Sequence, residues 1–216
     1  DFVNRVISLG QDRRWRRLAL DTVALGPDTR MLDVATGTGD LALMAKRRAP
    51  AAGVVGTDLT QAMLRRAQTK ARSVRVPWVG SDGMALSFAD DSFDVVTSAF
   101  MMRNVPDVGQ ALREQVRVIR PGGTLVCLEI TWPRHFPINW LFTLYFSGLT
   151  PLLGSLMTGD REAYTYLPRS VRRFMDPEAL AEEMHKAGLR DISWTSMMMG
   201  TVAIHTGVKK VSKSDL

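Results

Sequence analysis

With 216 residues, 45% of them apolar and 23% charged, the chain is long enough to bury one real core and too ordinary in composition to be disordered or fibrous. A single cysteine, Cys127, excludes an internal disulfide framework, and His135, His185 and His205 are too scattered to form a metal site with it or with carboxylates. The net charge of +6 permits an acidic partner, but the cations are dispersed: Arg13, Arg14, Arg16 and Arg17 flank Trp15, Lys46 to Arg48 close a helix, and Arg169, Arg172 and Arg173 precede another, a pattern that solvated helix faces explain as well.

Trp15, Leu18, Ala19, Thr22 and Leu25 recur near a helical period and predict a first helix over 11–25, stopped by Gly26 and Pro27. From Met31 an apolar run ends at Asp33, and a turn carries Gly37 and Gly39. A second helix follows over Asp40 to Arg48, ended by Pro50. Val54 to Asp58 reads as a short buried strand ending in an acid, and a third helix starts at Thr60. Strand three is expected over Val74 to Val79, with Asp82 just past its end. Phe93 to Phe100 is nearly continuous in apolar residues, as a strand buried on both faces should be. Asp107 to Ile119 predicts a helix, which Pro121-Gly122-Gly123 separates from a strand over Thr124 to Ile130, with Cys127 as a core residue.

Residues 132–175 interrupt the alternation as an apolar insertion. Within it, 136–159 has no charged residue and is long enough to cross a bilayer, for which ~20 apolar residues suffice. Its Asn, Thr, Ser, Gly and Pro content, and the scaffold resuming on both sides, favour a lid or a surface resting on a membrane. Asp176-Pro177-Glu178 starts another helix, with Gly188 as its terminating residue. Ile192 to Ser196 and Thr201 to Thr206 are expected as a final antiparallel pair. Strands alternating with helices predict a Rossmann-like α/β domain over 1–210, with a frayed tail over 211–216. Its sheet is seven-stranded and mostly parallel, with helices on both faces and the last strand antiparallel. The chain opens on Asp1 without a signal peptide, and a truncated N-terminus is an open alternative.

Gly37-Thr38-Gly39-Asp40-Leu41-Ala42 fits the G-x-G-x-x-G/A cradle, and Asp58 follows Gly39 by 19 residues, so spacing alone allows a dinucleotide. Three details favour S-adenosylmethionine. Asp33 at the strand end would repel a pyrophosphate but attract an ammonium or sulfonium. Asp82 suits an adenine amine, although an Asp there is also a common turn former. Only one nucleotide-binding half is present, without a P-loop lysine. The glycine cradle with Asp33, Asp58 and Asp82 resembles a class I S-adenosylmethionine-dependent methyltransferase, and the resemblance implies cofactor contacts at Asp33, Ala35, Gly37, Thr38, Gly39, Asp58, Leu59, Asp82, Gly83 and Ala99.

The strings SLGQDRRWR at 8–16, DVATGTGDLA at 33–42, DDSFDVVTSAFMMRNV at 90–105, RVIRPGGTLVCLEIT at 117–131, GDREAYTYLPRSVRRF at 159–174 and VAIHTGVKK at 202–210 carry the resemblance further. Over nearly its whole length the chain is similar to the ubiquinone/menaquinone biosynthesis C-methyltransferase family. The resemblance matches the family's cofactor threonine to Thr38, its ribose-binding acid to Asp58 and its adenine-side pair, often Asn-Ala, to Asp82 and Gly83. A family serine falls on Ala99, and a family glycine falls on Met101, which puts a bulkier side chain at the expected site wall.

The implied reaction methylates a ring carbon of a polyprenylated quinol precursor, demethylmenaquinol or its ubiquinone-pathway counterpart, and releases S-adenosylhomocysteine. Arg103 and Asn104 are the expected pair at the ring oxygen, with a salt bridge to a surface acid as the alternative for Arg103; Tyr164 and Tyr166 are donors to the second oxygen or packing residues, and Glu129 stands at the pocket mouth or is a buried partner of an arginine or of backbone N–H groups. His205 reads as structural. The resemblance implies peripheral contact with the inner membrane surface from the cytoplasm, no nucleic acid, and a homo-oligomer or a quinone-synthesis assembly as possible company. The competing readings are a methyltransferase for another small apolar acceptor and a cofactor-retaining scaffold.

Overall fold

The computed structural model describes residues 10–71, 74–133, 137–144 and 170–211. Its centre is β1 (Arg30–Val34), buried in all but its first residue. On one side β1 pairs with β2 (Gly53–Asp58), and on the other with β4 (Phe93–Ala99), so that Leu32 stands level with both Val55 and Val96. The sheet continues through β3 (Trp78–Gly80) at one edge and β5 (Ile119–Ile130), β7 (Val202–Lys209) and β6 (Leu189–Met197) at the other, in the order β3-β2-β1-β4-β5-β7-β6. Of the seven strands β7 alone runs against the rest, being antiparallel to both β5 and β6.

Side chains alternate across the strands. Met31 and Val95 face a core with Trp15, Ala19 and Leu20 of α1 (Asp12–Asp21) and Leu41 and Leu43 of α2 (Asp40–Arg48). Leu32 and Val96 face the opposite core, with Leu112 and Val116 of the helix Val108–Val118 and Leu180 and Met184 of the helix Pro177–Lys186. The helix α3 (Gln61–Lys70) follows β2. Asp107 and Asp176 cap their helices by accepting from Gln110 N and Ala179 N, each at 2.8 Å. The chain order then makes these helices α4 (Val108–Val118) and α6 (Pro177–Lys186), with α5 (Ile138–Leu144) between them.

The largest differences from expectation lie at three boundaries. α1 ends at Asp21, ahead of Gly26-Pro27, because Thr22 turns its hydroxyl back to Ala19 O at 2.7 Å and closes the last turn. β3 begins only at Trp78, since Pro77 has no N–H to offer; its carbonyl accepts from Gly56 N at 3.0 Å and pairing starts at the next residue. β5 runs straight through Pro121-Gly122-Gly123, which form a bulge where the register with β4 shifts between the Phe93 and Val95 rungs.

Cys127 is buried at mid-strand, and burial pushes its thiol pKa up, so it stays an inert core thiol. His205 is also buried; its ring donates from Nε2 to Pro177 O at 2.9 Å and thereby ties β7 to the start of α6. Burial lowers its pKa. Among the described residues no helix is long and apolar enough to cross a membrane. Most of the charge-free 136–159 segment lies outside them.

Candidate active site

Strand order reverses between β1 and β4, which opens a crevice beyond their C-terminal ends. A cavity of about 220 Å³ occupies it. Asp33 and Ala35 to Thr38 come from the end of β1 and its turn, and Ala99, Phe100, Arg103 and Asn104 from the end of β4. Asp40 and Leu41 of α2, Arg16 of α1 and Met63 of α3 complete the wall. A larger hollow of about 450 Å³ lies at the other ends of the strands, against Pro27, Asp94 and Gly122, far from the glycine turn.

Asp33 is buried, and each of its oxygens accepts a hydroxyl: Thr36 Oγ1 at 2.5 Å and Thr97 Oγ1 at 2.9 Å. Burial pushes its pKa up to about 6, against the pull of these two bonds and of the Arg16 charge. The turn beyond it is pinned by Thr36 N to Thr57 O and by Gly37 N to Asp58 Oδ2, both at 2.8 Å. Asp58 Oδ1 accepts from Thr60 N, so both oxygens of this acid are oriented by backbone and retain lone pairs for ligand hydroxyls.

Gly39 sits at φ +79°, and a Cβ there would lie 2.4 Å from the Trp78 ring. Gly56 meets the same indole at 2.5 Å, so the edge strand supplies the floor of the turn. The cavity also holds two non-glycine residues in the left-handed region, Ala35 (φ 53°) and Phe100 (φ 62°), a strain that accumulates at functional sites.

At the end of β5, Glu129 is fully buried; Oε1 accepts from Met102 N at 2.6 Å and Oε2 from Arg103 Nη1 at 2.8 Å. Burial raises the Glu129 pKa and the Arg103 charge opposes that rise. The Arg103 side chain is 9% exposed and lies over the Phe100 ring, 5.4 Å from its centroid. Its Nε is shut off from solvent with no hydrogen-bond partner among the described residues, while the side chain as a whole forms part of the cavity lining. Asn104 Nδ2 donates to Phe100 O at 2.8 Å and holds the left-handed residue.

Of the residues expected from the sequence, the cavity collects Asp33, Ala35, Gly37, Thr38, Ala99, Arg103 and Asn104. Leu59 is exposed at the start of the following loop. Asp82 accepts from Met84 N at 2.9 Å, the turn-forming geometry, and neither it nor Gly83 lines the cavity. Met101 is the clearest correction. Its side chain is buried in the core rather than on the site wall, and a Cβ at Gly83 would lie 2.2 Å from Met101 Cε, so the missing methyl at one position accommodates the long side chain at the other. Ser98 does not stand in for the family serine that falls on Ala99, since it points to the opposite face of β4, level with Cys127. Tyr164 and Tyr166 lie outside the described residues.

Two cavity-side residues escaped the sequence reading. Arg16 was one cation among four around Trp15, although Asp12 one helical turn earlier is a signal for a held guanidinium. Lys70, at the end of α3, donates to Thr38 Oγ1 at 2.5 Å and Asp40 Oδ1 at 3.0 Å, a long-range pairing with no sequence signal. The buried acid beneath the turn, the oriented Asp58 carboxylate and the open space beside Gly37 fit a nucleoside bearing an amino-acid tail.

Known proteins agree with this reading of the fold. The chain is 22% identical to a [4+2]-cyclase, SpnF, with a TM-score of 0.72 over 93% of this chain and 81% of that one. A phosphoethanolamine N-methyltransferase of Haemonchus contortus gives a TM-score of 0.68 at 15% identity, over 94% of this chain and 53% of that one. At those identities the likeness speaks for the fold alone. In sequence, the chain is 46% identical over 209 residues to a demethylmenaquinone methyltransferase of Thermus thermophilus, covering 96% of this chain and 94% of the relative. It is 39% identical over 213 residues to the ubiquinone/menaquinone biosynthesis C-methyltransferase UbiE of Paracoccus denitrificans, covering 97% and 85%. The model of the ubiE/COQ5 methyltransferase family matches residues 1–209, and the chain belongs to that family.

Proposed function

We propose that the protein transfers the methyl group of S-adenosylmethionine to a ring carbon of a polyprenylated quinol, demethylmenaquinol first, and releases S-adenosylhomocysteine. When bound, the cofactor supplies an electrophilic methyl on a sulfonium. The ring carbon beside a hydroxyl is a weak nucleophile until that hydroxyl loses its proton. The observation that carries the reading is the Arg103 guanidinium in the cavity lining, fixed by Glu129 and stacked on Phe100. A donor so placed stabilises the developing phenolate without having to reorganise. Asp33 holds the amino-acid end of the cofactor and Asp58 its ribose hydroxyls.

The test is turnover by the purified protein with S-adenosylmethionine and reduced demethylmenaquinone, with the ubiquinone-pathway benzoquinol assayed in parallel. A methylated naphthoquinol product is expected; cofactor binding with no methylated product from either quinol would leave the scaffold reading in its place.

A substrate with an isoprenoid tail resides in a bilayer, so the protein is further proposed to work against the cytoplasmic surface of the inner membrane. Trp140 and Leu144, both exposed, are one turn apart on α5 and share a face. Flotation with anionic liposomes at low salt is expected to carry the protein upward, and Trp140→Ala with Leu144→Ala to weaken the effect. A protein that stays at the bottom of the gradient under those conditions contradicts the membrane assignment.

A further inference from the structure

Arg16 stands in the wall of the cavity, and the reaction as described makes no use of it. Its side chain is only 11% exposed, and its position is set from two sides: Nη1 donates to Asp12 Oδ2 at 2.9 Å, and the guanidinium lies over the Phe100 ring, 5.1 Å from the centroid. Apart from a long contact of Nη1 with Asp12 O, Arg16 makes no other hydrogen bond among the described residues, which leaves Nε and Nη2 for a ligand. A fork held in place on one edge with donors remaining on the other is suited to a carboxylate.

The cavity has two guanidiniums, and their surroundings separate their tasks. Arg103 is fastened to Glu129 at the end of β5, whereas Arg16 is the cation whose charge acts on the Asp33 carboxyl beneath the glycine turn. Arg16 and Asp33 both line the cavity, which thus offers a cation and an anion to one ligand, the complement of an α-amino acid. We infer that Arg16 binds the α-carboxylate of the methyl donor's amino-acid end while Asp33 receives its α-ammonium. This assignment rests on the methyltransferase reading.

Decarboxylated S-adenosylmethionine keeps the ammonium and the sulfonium and lacks only the carboxylate, so it isolates the contact. Binding of both ligands is measured by calorimetry on the wild type, Arg16→Gln and Arg16→Lys. Arg16→Gln is expected to weaken S-adenosylmethionine by about 10- to 100-fold, the range for a lost hydrogen bond to a charged group, while leaving the decarboxylated ligand within about twofold. Arg16→Lys keeps a cation beside the buried Asp12, which protects the fold, and is expected to show a smaller loss confined to the carboxylate-bearing ligand. Equal weakening of both ligands, or undiminished S-adenosylmethionine binding by both variants, overturns the assignment. Intact carboxylate discrimination in a protein that methylates no quinol would overturn the proposed reaction and leave Arg16 where it is placed here.

Discussion

Asp33→Asn is expected to raise the melting temperature at pH 8 while removing most of the affinity for S-adenosylmethionine. Burial holds the Asp33 carboxyl at a pKa of about 6, against an ordinary value of 3.8, so the folded state binds this proton more tightly than the unfolded state does. The sign follows from that order. Below 3.8 the group is protonated in both states and imposes no cost; between 3.8 and 6 a cost grows as the unfolded state alone ionises; above 6 it is fully present. The full cost is at most about 3 kcal/mol, and since Asn lacks the charge, a gain of roughly 1–3 kcal/mol is expected at pH 8 and none near pH 4. The Asn amide can still bond both Thr36 and Thr97.

Binding moves the other way. Removing one member of a buried charge pair costs about 2–5 kcal/mol, or at least about 30-fold in affinity. The wild type should itself lose about tenfold in affinity between pH 7.5 and pH 5, as Asp33 takes up its proton, and the variant should show no such slope. Thermal melts at pH 4 and pH 8, with calorimetry across the same range, measure all of this; a variant less stable than the wild type at pH 8 would mean that the two hydroxyl bonds outweigh the buried charge.

Arg103→Ala is expected to lower methylation by about 10²- to 10⁴-fold while S-adenosylmethionine affinity stays within about threefold. The same change leaves Glu129 buried beside Met102 N with no cation, and breaking a buried pair in this way costs about 3–5 kcal/mol. The Glu129 pKa, already raised by burial, then climbs further. The variant is thus relatively more stable at low pH, where the acid is protonated in both states, and loses stability as pH rises from the ordinary glutamate value of 4.5 up to that folded pKa, above which the cost is fully present. Glu129→Gln in the Arg103→Ala background removes the stranded charge. Melting temperature is expected to recover and turnover is not. Recovery of turnover in the double variant would make the loss a folding effect and take Arg103 out of the chemistry.

The parts of the molecule that could be read from the sequence are those in which local chemistry and tertiary structure agree. α2 runs from Asp40 to Arg48 as expected, because glycine, apolar spacing and Pro50 all mark the same limits. Asp107 and Asp176 announce their helices for the same reason. Pro121-Gly122-Gly123 misled because ladder pairing with β4 overrides local breakers once a bulge absorbs them.

At the site, Asp33 was legible because an acid ending an apolar strand has few purposes. Arg16 was not, since nothing along α1 tells a solvated arginine from one that a distant Phe100 and the cavity wall enclose. Met101 was legible as a size change but not in its direction, which depends on the space at Gly83.

Trp78 links a weak part of the sheet to the centre of the chemistry. It belongs to a three-residue edge strand, where local opening is easiest, yet Gly39 and Gly56 both rest against its indole. Opening β3 withdraws support from the glycine turn, and a ligand that holds the turn must, by the reciprocity of coupled equilibria, hold β3 closed to the same degree. The outer edge of the sheet, well away from the reacting atoms, therefore sets part of the affinity for the methyl donor and in turn registers whether the donor is bound.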